Sequence, residues 1–205
     1  MASAQDLDDA AALAAWSAGD RKAGQALFSR YYEPVARFFL NKVGDAGQDL
    51  IQRTFLACVE GASRYRGDGS FRSYLFAVAY RQLCRHYRDR AGDRVDLASV
   101  SSLALDASLS GMVVEREELR LFLAALRTIP LDLQVVLELH YWEQCSVAEM
   151  AAALEIPEGT VQSRLRRGRE QLRAAVDRLA ERPDLANSTW HGLDTWAREV
   201  QALRQ

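Results

Sequence analysis

Residues 146–172 read SVAEMAAALEIPEGTVQSRLRRGREQL, which predicts two helices joined by a tight turn. Ser146 followed by Glu149 fits a capping box, so the first helix should begin there. Pro157 suits the first turn of the second helix, where a missing N–H is tolerated. The second helix has one apolar face, whose residues recur at steps of three and four: Val161, Leu165, Gly168, Leu172, Val176 and Leu179.

The other side of this second helix is polar and rich in arginine. At about 100° per residue, five side chains fall away from the apolar face: Gln162, Ser163, Arg166, Arg167 and Arg173. A short helix, a turn and a second helix that projects arginines and amides are typical of a helix-turn-helix that enters the major groove of DNA.

The length and composition indicate a chain with room for one or two domains. It has 205 residues, of which 49% are hydrophobic and 26% charged. No run of about 18 apolar residues occurs, so no membrane insertion is expected. The first residues, MASAQDLDDA, are acidic where a secretory signal would be basic. We therefore expect a cytoplasmic protein.

The net charge is only −2, but the charges are segregated along the chain. Residues 64–94 contain eight arginines and three aspartates, and residues 164–182 contain seven arginines and three acidic residues. Residues 111–149 are acidic. Two separated basic patches favour two contacts with one polyanion. Arginine outnumbers lysine 24 to 2, which a GC-rich genome would also produce.

Residues that could perform catalysis are not recognisable in the sequence. The cysteines Cys58, Cys84 and Cys145 are isolated, and each is expected to act as a small buried apolar residue. The three histidines are also scattered, without metal-ligand spacing. A glycine-rich phosphate loop and a nucleophile elbow are both missing from the sequence. We expect no catalytic residue, no metal site and no cofactor, and hence no enzyme.

The periodicity is helical almost throughout and predicts an all-α protein of two small helical domains joined by a flexible linker. We place the first domain at 1–90, with helices at 26–41, 48–61 and 70–88, and the second at 113–182. The linker, 91–112, is rich in Ser, Asp and Ala. In the tail, 183–205, Trp190 and Trp196 either fold back on the second domain or provide an anchor for a regulator.

Two helices of the first domain carry polar stripes. The helix at 48–61 turns Leu50, Ile51, Phe55, Cys58 and Val59 inward and presents a polar side that includes Asp49, Gln52 and Arg53. The helix at 70–88 carries a row of Arg81, Arg85 and Arg88 without acidic partners, which suits a phosphate backbone. Most of its aromatic residues are expected in the core. The loop before it, YRGDGS at 65–70, has two glycines and polar tips, and such loops can accept an unstacked base.

Together these segments resemble bacterial sigma factors of the extracytoplasmic-function (ECF) group. DLIQRTFL at 49–56 is similar to the D-L-V-Q-E-T-F-L signature of that group, and FRSYL at 71–75 is similar to F-R-x-W-L. Ile129-Pro130, SVAEMA at 146–151 and IPEGTVQSRL at 156–165 resemble the L-P, S-x-x-E-I-A and I-P-x-G-T-V-x-S-R-L run. The resemblance covers about 26–90 and 113–178, in matching order and spacing.

The resemblance implies a sigma-2 helical bundle followed by a sigma-4 helix-turn-helix domain. Such a protein binds core RNA polymerase through its clamp helices and its flap, and it recognises the −10 and −35 elements of promoter DNA. An anti-sigma factor is a further expected partner. The implied clamp contacts are Asp49, Gln52, Arg53 and Thr54. The implied −10 contacts are Arg66, Asp68, Ser70, Arg81, Arg85 and Arg88, with the loop at 66–70 holding a flipped base.

For the −35 element, the resemblance implies that Gln162, Ser163, Arg166 and Arg167 read or flank base edges. Thr160 and Arg164 would lie nearer the phosphates. Glu170, one turn after Arg166, is expected to orient that arginine.

Three positions depart from the pattern of the group. Arg53 stands where an acidic residue is usual, Tyr74 replaces a tryptophan, and Glu155 lies in a turn where glycine is frequent. A left-handed backbone at Glu155 would cost about 1 kcal/mol.

Two other classes of protein would account for only part of these features. A two-domain DNA-binding regulator that never joins polymerase would explain the helix-turn-helix but not the signature at 49–56. An anti-sigma-like or scaffold protein would not explain the two arginine-rich faces.

Overall fold

The structure, a computed structural model, describes residues 4–65, 70–91, 101 and 117–191. Within these ranges the chain is helical, and extended backbone pairs only in an isolated bridge between Ser101 and Pro130. The all-α fold is confirmed. Most of the predicted linker and the tail after residue 191 lie outside the described residues.

The first block consists of four helices: α1 (Ala4–Ser17), α2 (Arg21–Val43), α3 (Gly47–Glu60) and α4 (Phe71–Ala91). The three predicted helices are confirmed as α2, α3 and α4. α2 begins earlier than expected because the Asp20 side chain accepts hydrogen bonds from the backbone N–H groups of Lys22 and Ala23. α1 was not predicted. It packs on α2, where the buried Asp9 accepts a hydrogen bond of 2.5 Å from the Tyr31 hydroxyl.

The second block consists of α5 (Glu117–Thr128), α6 (Leu131–Tyr141), α7 (Val147–Leu154) and α8 (Glu158–Leu179). The predicted capping box is confirmed at the start of α7. Ser146 Oγ accepts from the Glu149 N–H at 3.2 Å, and Glu149 Oε2 accepts from the Ser146 N–H at 2.9 Å. Glu155 ends α7 in the left-handed region, with φ 56° and ψ 42°, and Pro157 caps α8.

The apolar face of α8 packs on α5 and α6. All of its predicted members are buried except Leu179, which is 41% exposed at the end of the helix. Gly168 lets α8 approach α6 closely, since a Cβ there would lie 3.1 Å from Leu137 Cγ.

The start of the tail folds back on the second block. α9 (Pro183–His191) contacts α5 and α8. Trp190 is partly buried, and the Arg173 guanidinium lies 5.3 Å from its ring centroid, a cation–π distance. Trp196 lies outside the described residues.

The two blocks pack against each other, chiefly through α4 and α7. Phe71, Phe76 and Tyr87 of α4 are buried, which confirms that most aromatic residues of this helix belong to the core. Tyr80 is half-buried, and burial raises the pKa of its phenol. α4 packs on α3 of the first block and on α7 of the second. α4 therefore contacts helices of both blocks.

Candidate nucleic-acid interface

The outer face of α8 presents a polar and basic surface. Gln162, Arg166 and Arg167 are exposed, whereas Ser163 is half-buried and donates a hydrogen bond of 2.9 Å to the Thr160 carbonyl. This surface lies on the side of α8 away from α5 and α6, as the periodicity predicts.

Arg166 is paired with an acidic residue of its own helix. Arg166 Nη1 lies 2.9 Å from Glu170 Oε1, and both side chains are more than half exposed. The expected partnership of these two residues is confirmed. Because the pair is exposed, it contributes little to folding and leaves the guanidinium accessible.

Arg164 differs from the other predicted −35 residues. Its side chain is only 19% exposed, and Nε lies 3.2 Å from Oδ2 of the buried Asp132 at the start of α6. Arg164 therefore joins α8 to α6 inside the second block. Its Nε already faces a buried carboxylate, and the expectation that Arg164 lies nearer the phosphates stays a prediction. Thr160 is half-buried.

The basic row of α4 has acidic partners, contrary to the prediction. Arg81 Nη1 lies 2.9 Å from Glu155 Oε1 in the turn after α7, and Arg85 Nε lies 4.0 Å from Asp89 Oδ2. Arg88 is exposed. Sequence spacing does not reveal the first pair because its members lie 74 positions apart. All three arginines keep more than a third of their surface in solvent.

A surface cavity of about 430 Å³ lies between α3 and α4. Glu60, Arg81 and Gln82 supply its polar side chains, and Tyr74 forms part of its wall. The Tyr74 hydroxyl donates a hydrogen bond of 3.1 Å to the Cys58 carbonyl, so the residue that replaces tryptophan serves in packing. Further lining comes from Ala57, Gly61 and Val78.

The predicted base-holding loop at 66–70 is described only at its end. Ser70 is half-buried, and its hydroxyl donates to Glu149 Oε1 of α7 at 2.8 Å. Arg66 and Asp68 lie outside the described residues. Burial alone would raise the pKa of Glu149, but hydrogen bonds from Ser146 and Ser70 hold it below the usual value.

The outer face of α3 carries the other predicted contacts. Asp49 and Arg53 are exposed and form an ion pair of 2.9 Å one turn apart, and Gln52 is exposed beside them. The prediction that Thr54 faces the clamp is wrong. Its side chain is fully buried, and its hydroxyl donates a hydrogen bond of 2.7 Å to the Leu50 carbonyl. The four-residue step from Leu50, itself buried, indicates this inward position.

Two exposed apolar residues beside this face were missed from the sequence. Leu56 on α3 is 59% exposed, and Phe28 on α2 is 38% exposed. The Phe28 ring packs on Phe55 with centroids 4.8 Å apart. Single exposed apolar side chains are common on protein surfaces, so only their place beside the polar face of α3 makes these two candidates for contact with a partner. The sequence does contain a signal for Leu56, because this apolar side chain falls on the outer, polar face of the predicted helix.

The described residues offer little for catalysis or metal binding. No group of three or more His, Cys, Asp or Glu residues that could hold a metal occurs among them. Burial raises the pKa of the Cys58 thiol and that of the Cys145 thiol to about 12, so neither forms a thiolate at neutral pH. Across the helices that the structure describes, none is long and apolar enough to span a membrane.

The geometry therefore defines a two-block helical protein with DNA-binding character, in which a helix-turn-helix follows a block with its own basic helix. Family models of sigma-70 region 2 and sigma-70 region 4 match residues 27–92 and 119–172, and together they span more than half of the chain. The chain belongs to the sigma-70 family of RNA polymerase sigma factors, and within it to the ECF group.

Similar proteins agree over most of the chain. The ECF RNA polymerase sigma-E factor of Salmonella typhimurium strain LT2 is 29% identical over 177 residues, which are 80% of this chain and 92% of the relative. The sigma-E factor of Haemophilus influenzae is 26% identical over 190 residues, covering 86% and 99%. The function follows from the family: the protein works with core RNA polymerase and directs promoter-specific transcription initiation at −35 and −10 elements.

Two solved structures share the fold. CnrH, solved in complex with the cytosolic domain of CnrY, aligns with a TM-score of 0.60 at 22% identity, covering 84% of this chain and 99% of that one. RpoE of Bartonella quintana, solved with the anti-sigma factor NepR, aligns with a TM-score of 0.55 at 16% identity, covering 77% and 99%. The alternative of a DNA-binding regulator that never joins polymerase leaves the region 2 match unexplained.

Proposed function

We propose that this ECF sigma factor uses three separate surfaces, one for the polymerase clamp and two for the promoter. The outer face of α3 binds the clamp helices, α4 with the cavity beside it binds the −10 element, and α8 reads the −35 element. The domains keep the predicted bounds: 1–90 for sigma-2, 91–112 for the linker, 113–182 for sigma-4 and 183–205 for the tail.

The division of α8 into two faces is the observation that carries the proposal. Its inner face is buried against α5 and α6, while Gln162, Arg166 and Arg167 are exposed on the outer face. Arginine and glutamine are side chains that form bidentate hydrogen bonds with guanine and adenine in the major groove. Ser163 and Thr160, both half-buried, lie at the edge of this face.

The −10 assignment rests on the position of the cavity. A nucleic-acid base removed from its stack needs an aromatic or apolar wall and a few polar groups. The cavity offers Tyr74 as a wall and Arg81 as a donor, and Arg85 and Arg88 follow on the same helix. Arg66, Asp68 and Ser70 belong to the neighbouring loop and complete the proposed −10 set.

The clamp assignment rests on α3. The polar part of the surface consists of Asp49, Gln52 and Arg53. The exposed side chains of Leu56 and Phe28 add the apolar contact area that a protein interface also needs. Thr54 is omitted because it is buried. Arg53 stands where an acidic residue is usual, and it forms an ion pair with Asp49. Because the two charges cancel, the outer face of α3 stays close to neutral.

Regulation by an anti-sigma factor is part of the proposal. Of the two solved structures with the same fold, one contains the anti-sigma factor NepR and the other contains the cytosolic domain of CnrY. The protein itself performs no chemistry, and the polymerase to which it binds forms the RNA. We place it in the cytoplasm, where polymerase and promoters meet.

A reconstituted transcription assay tests the proposal. Core polymerase lacking sigma is mixed with the protein, and promoter fragments are selected from a random DNA library by retention and run-off synthesis. We expect co-elution with core and transcripts from fragments that share a −35 and a −10 motif. No transcripts and no co-elution would overturn the proposed function.

A further inference from the structure

Arg164 lies on the inner side of the helix that we assign to the −35 element. It follows Val161 by three positions and precedes Gly168 by four, and both of these residues are buried on the side of α8 that packs on the protein. Gln162 and Arg166 lie two positions to either side of Arg164, about 200° around the helix, and both are exposed. Arg164 is therefore placed opposite the side chains that we assign to base edges.

Arg164 forms a largely buried ion pair with α6. Its Nε lies 3.2 Å from Asp132 Oδ2, and the two side chains are 19% and 5% exposed. Asp132 belongs to the first turn of α6, where the helix N-terminus favours a negative charge. Its second oxygen, Oδ1, is buried without a hydrogen-bond partner. Removal of either residue would leave the charge of the other poorly compensated inside the protein.

The ion pair restrains the part of α8 that carries the proposed base contacts. Val161 and Leu165 bury the inner face of this part, but apolar contacts have no preferred direction. An arginine–carboxylate pair does have one, because the guanidinium is planar and its donors are fixed. One turn later, Gly168 brings α8 so close to α6 that a Cβ there would lie 3.1 Å from Leu137 Cγ. The ion pair and this close approach together hold α8 on α6 at two points.

Recognition of bases is sensitive to the orientation of α8. A bidentate contact requires both polar atoms of a side chain to meet one base edge, and such groups must be held within about 0.5 Å of the productive position. A rotation of α8 by about 10° would move a side chain at its surface, about 6 Å from the axis, by about 1 Å. A small rotation would therefore misplace Gln162 and Arg166.

We propose that Asp132 and Arg164 are positioning residues for −35 recognition, and that their ion pair sets the orientation in which Gln162 and Arg166 meet the base edges. The inference deepens the proposed −35 role of α8 and rests on it. Asp132 acts from inside the second block and touches no DNA. A phosphate contact by Arg164 predicts the opposite response when Asp132 is changed, because loss of the carboxylate would release the guanidinium to the DNA.

Three variants and a matched control separate the two roles. Asp132→Asn keeps the shape of the side chain and removes its charge, and Arg164→Gln removes the guanidinium. The third variant combines both substitutions. Asp184→Asn is the control, since it makes the same chemical change in the same block at an exposed carboxylate, which lies 3.8 Å from Arg182.

The measurement uses holoenzyme assembled from core polymerase and each variant. A promoter fragment selected with the wild type competes with the same fragment carrying a scrambled −35 element, and the ratio of the two affinities gives the −35 discrimination. Repetition at several salt concentrations gives the salt slope, which counts phosphate contacts. Thermal unfolding by circular dichroism and co-elution with core establish that each variant is folded and binds polymerase at the assay temperature.

We expect Asp132→Asn and Arg164→Gln each to lower the discrimination ratio about tenfold, equivalent to the loss of one base contact. The salt slope should stay at the wild-type value, since no phosphate contact is lost. The double variant should lower the ratio about tenfold as well, because both substitutions break one interaction. Asp184→Asn should match the wild type. A role in stability alone would lower the melting temperature and leave the ratio of the folded holoenzyme unchanged.

A different pattern would overturn the inference. If Arg164 contacts a phosphate, Arg164→Gln lowers the affinity for both fragments equally and reduces the salt slope by about one. Asp132→Asn then leaves the ratio unchanged and tightens binding to both fragments. This pattern, or an unchanged ratio in every folded variant, rules out a positioning role.

Two further results have a defined meaning. If a single variant does not fold, Arg164→Met combined with Asp132→Leu replaces the pair by apolar side chains of similar size, and it should show the same lower ratio at an unchanged salt slope. If the wild-type holoenzyme does not distinguish the two fragments, the proposed −35 role of α8 fails and the inference fails with it. A wild type that distinguishes them no better than its folded variants overturns the inference alone.

Discussion

Arg166 and Glu170 form an ion pair of 2.9 Å on the exposed face of α8, one helical turn apart. The carboxylate contacts the guanidinium on the surface that we assign to the −35 element. Because the pair is exposed, the Glu170 interaction is weak enough for Arg166 to exchange it for a base edge.

Replacement of Arg166 by alanine should reduce −35 discrimination. A bidentate arginine contact to guanine contributes about 1–3 kcal/mol of discrimination. We expect Arg166→Ala to bring the affinity of the holoenzyme for a selected promoter closer to its affinity for one with a scrambled −35 element. Competition binding of the two fragments at fixed salt measures the ratio.

Arg178→Ala is the matched control for this experiment. Arg178 is an exposed arginine of the same helix, and its guanidinium contacts the Thr128 hydroxyl rather than the proposed DNA face. The Arg178→Ala substitution removes the same charge but should leave the ratio of the two promoter affinities unchanged. If Arg166→Ala lowers binding to both fragments equally, Arg166 contacts phosphates and does not read bases.

Local features of the second block could be predicted from sequence because their causes lie within a few residues. Ser146 and Glu149 are three positions apart, and their reciprocal hydrogen bonds form as the capping box predicts. Glu155 has a left-handed backbone, in the turn where the resemblance indicates that glycine is frequent.

Contacts between distant segments could not be predicted in this way. Arg81 was assigned to a row without acidic partners, but its partner Glu155 comes from the other block. The packing of α2 on α6 buries Lys42 against Glu138, 96 positions away in the sequence. Such pairings depend on how the blocks meet, which periodicity along one helix does not encode.

Leu56 should contribute to polymerase binding without stabilising the free protein. It is 59% exposed, so Leu56→Ala removes few internal contacts and should change the free energy of unfolding by less than about 0.5 kcal/mol. Burial of this side chain against the clamp would account for about 1–3 kcal/mol of binding. Titration of core polymerase with the labelled protein measures the loss of affinity.

Leu179→Ala provides the comparison for Leu56→Ala. Leu179 is also an exposed leucine, 41% accessible at the end of α8, far along the chain from the proposed clamp face. We expect its replacement to leave core affinity unchanged. Equal losses of core affinity for the two variants, or no loss for Leu56→Ala, would show that Leu56 is not part of the surface that binds the clamp.

Thr54 should behave as a core residue despite its place in the signature. Its side chain is fully buried, and its hydroxyl donates to the Leu50 carbonyl within α3. Thr54→Val preserves the shape and removes one hydrogen bond, which should destabilise the protein by about 0.5–1.5 kcal/mol. Core affinity should stay at the wild-type value, whereas Gln52→Ala on the exposed side should lower it. Chemical denaturation and core titration measure the two effects, and a large affinity loss for Thr54→Val with unchanged stability would contradict the buried assignment.

Gly61 and Tyr74 should be coupled through the wall of the cavity between α3 and α4. A Cβ at Gly61 would lie 2.6 Å from the Tyr74 hydroxyl and 3.0 Å from the Ala57 carbonyl, so Gly61→Ala forces the tyrosine to move. Such overpacking should destabilise the protein by about 1–3 kcal/mol and impair opening of the −10 region.

Tyr74→Phe removes the hydroxyl that the new methyl group would meet. Combined with Gly61→Ala, it should therefore recover part of the lost stability, although the contact with Ala57 remains. Urea denaturation of the wild type, both single variants and the double variant gives the coupling energy, and permanganate footprinting of the selected promoter reports strand opening. Strictly additive effects on stability would show that the two residues do not share this wall. Recovery of stability without recovery of strand opening would instead indicate that the Tyr74 hydroxyl itself is needed at the −10 element.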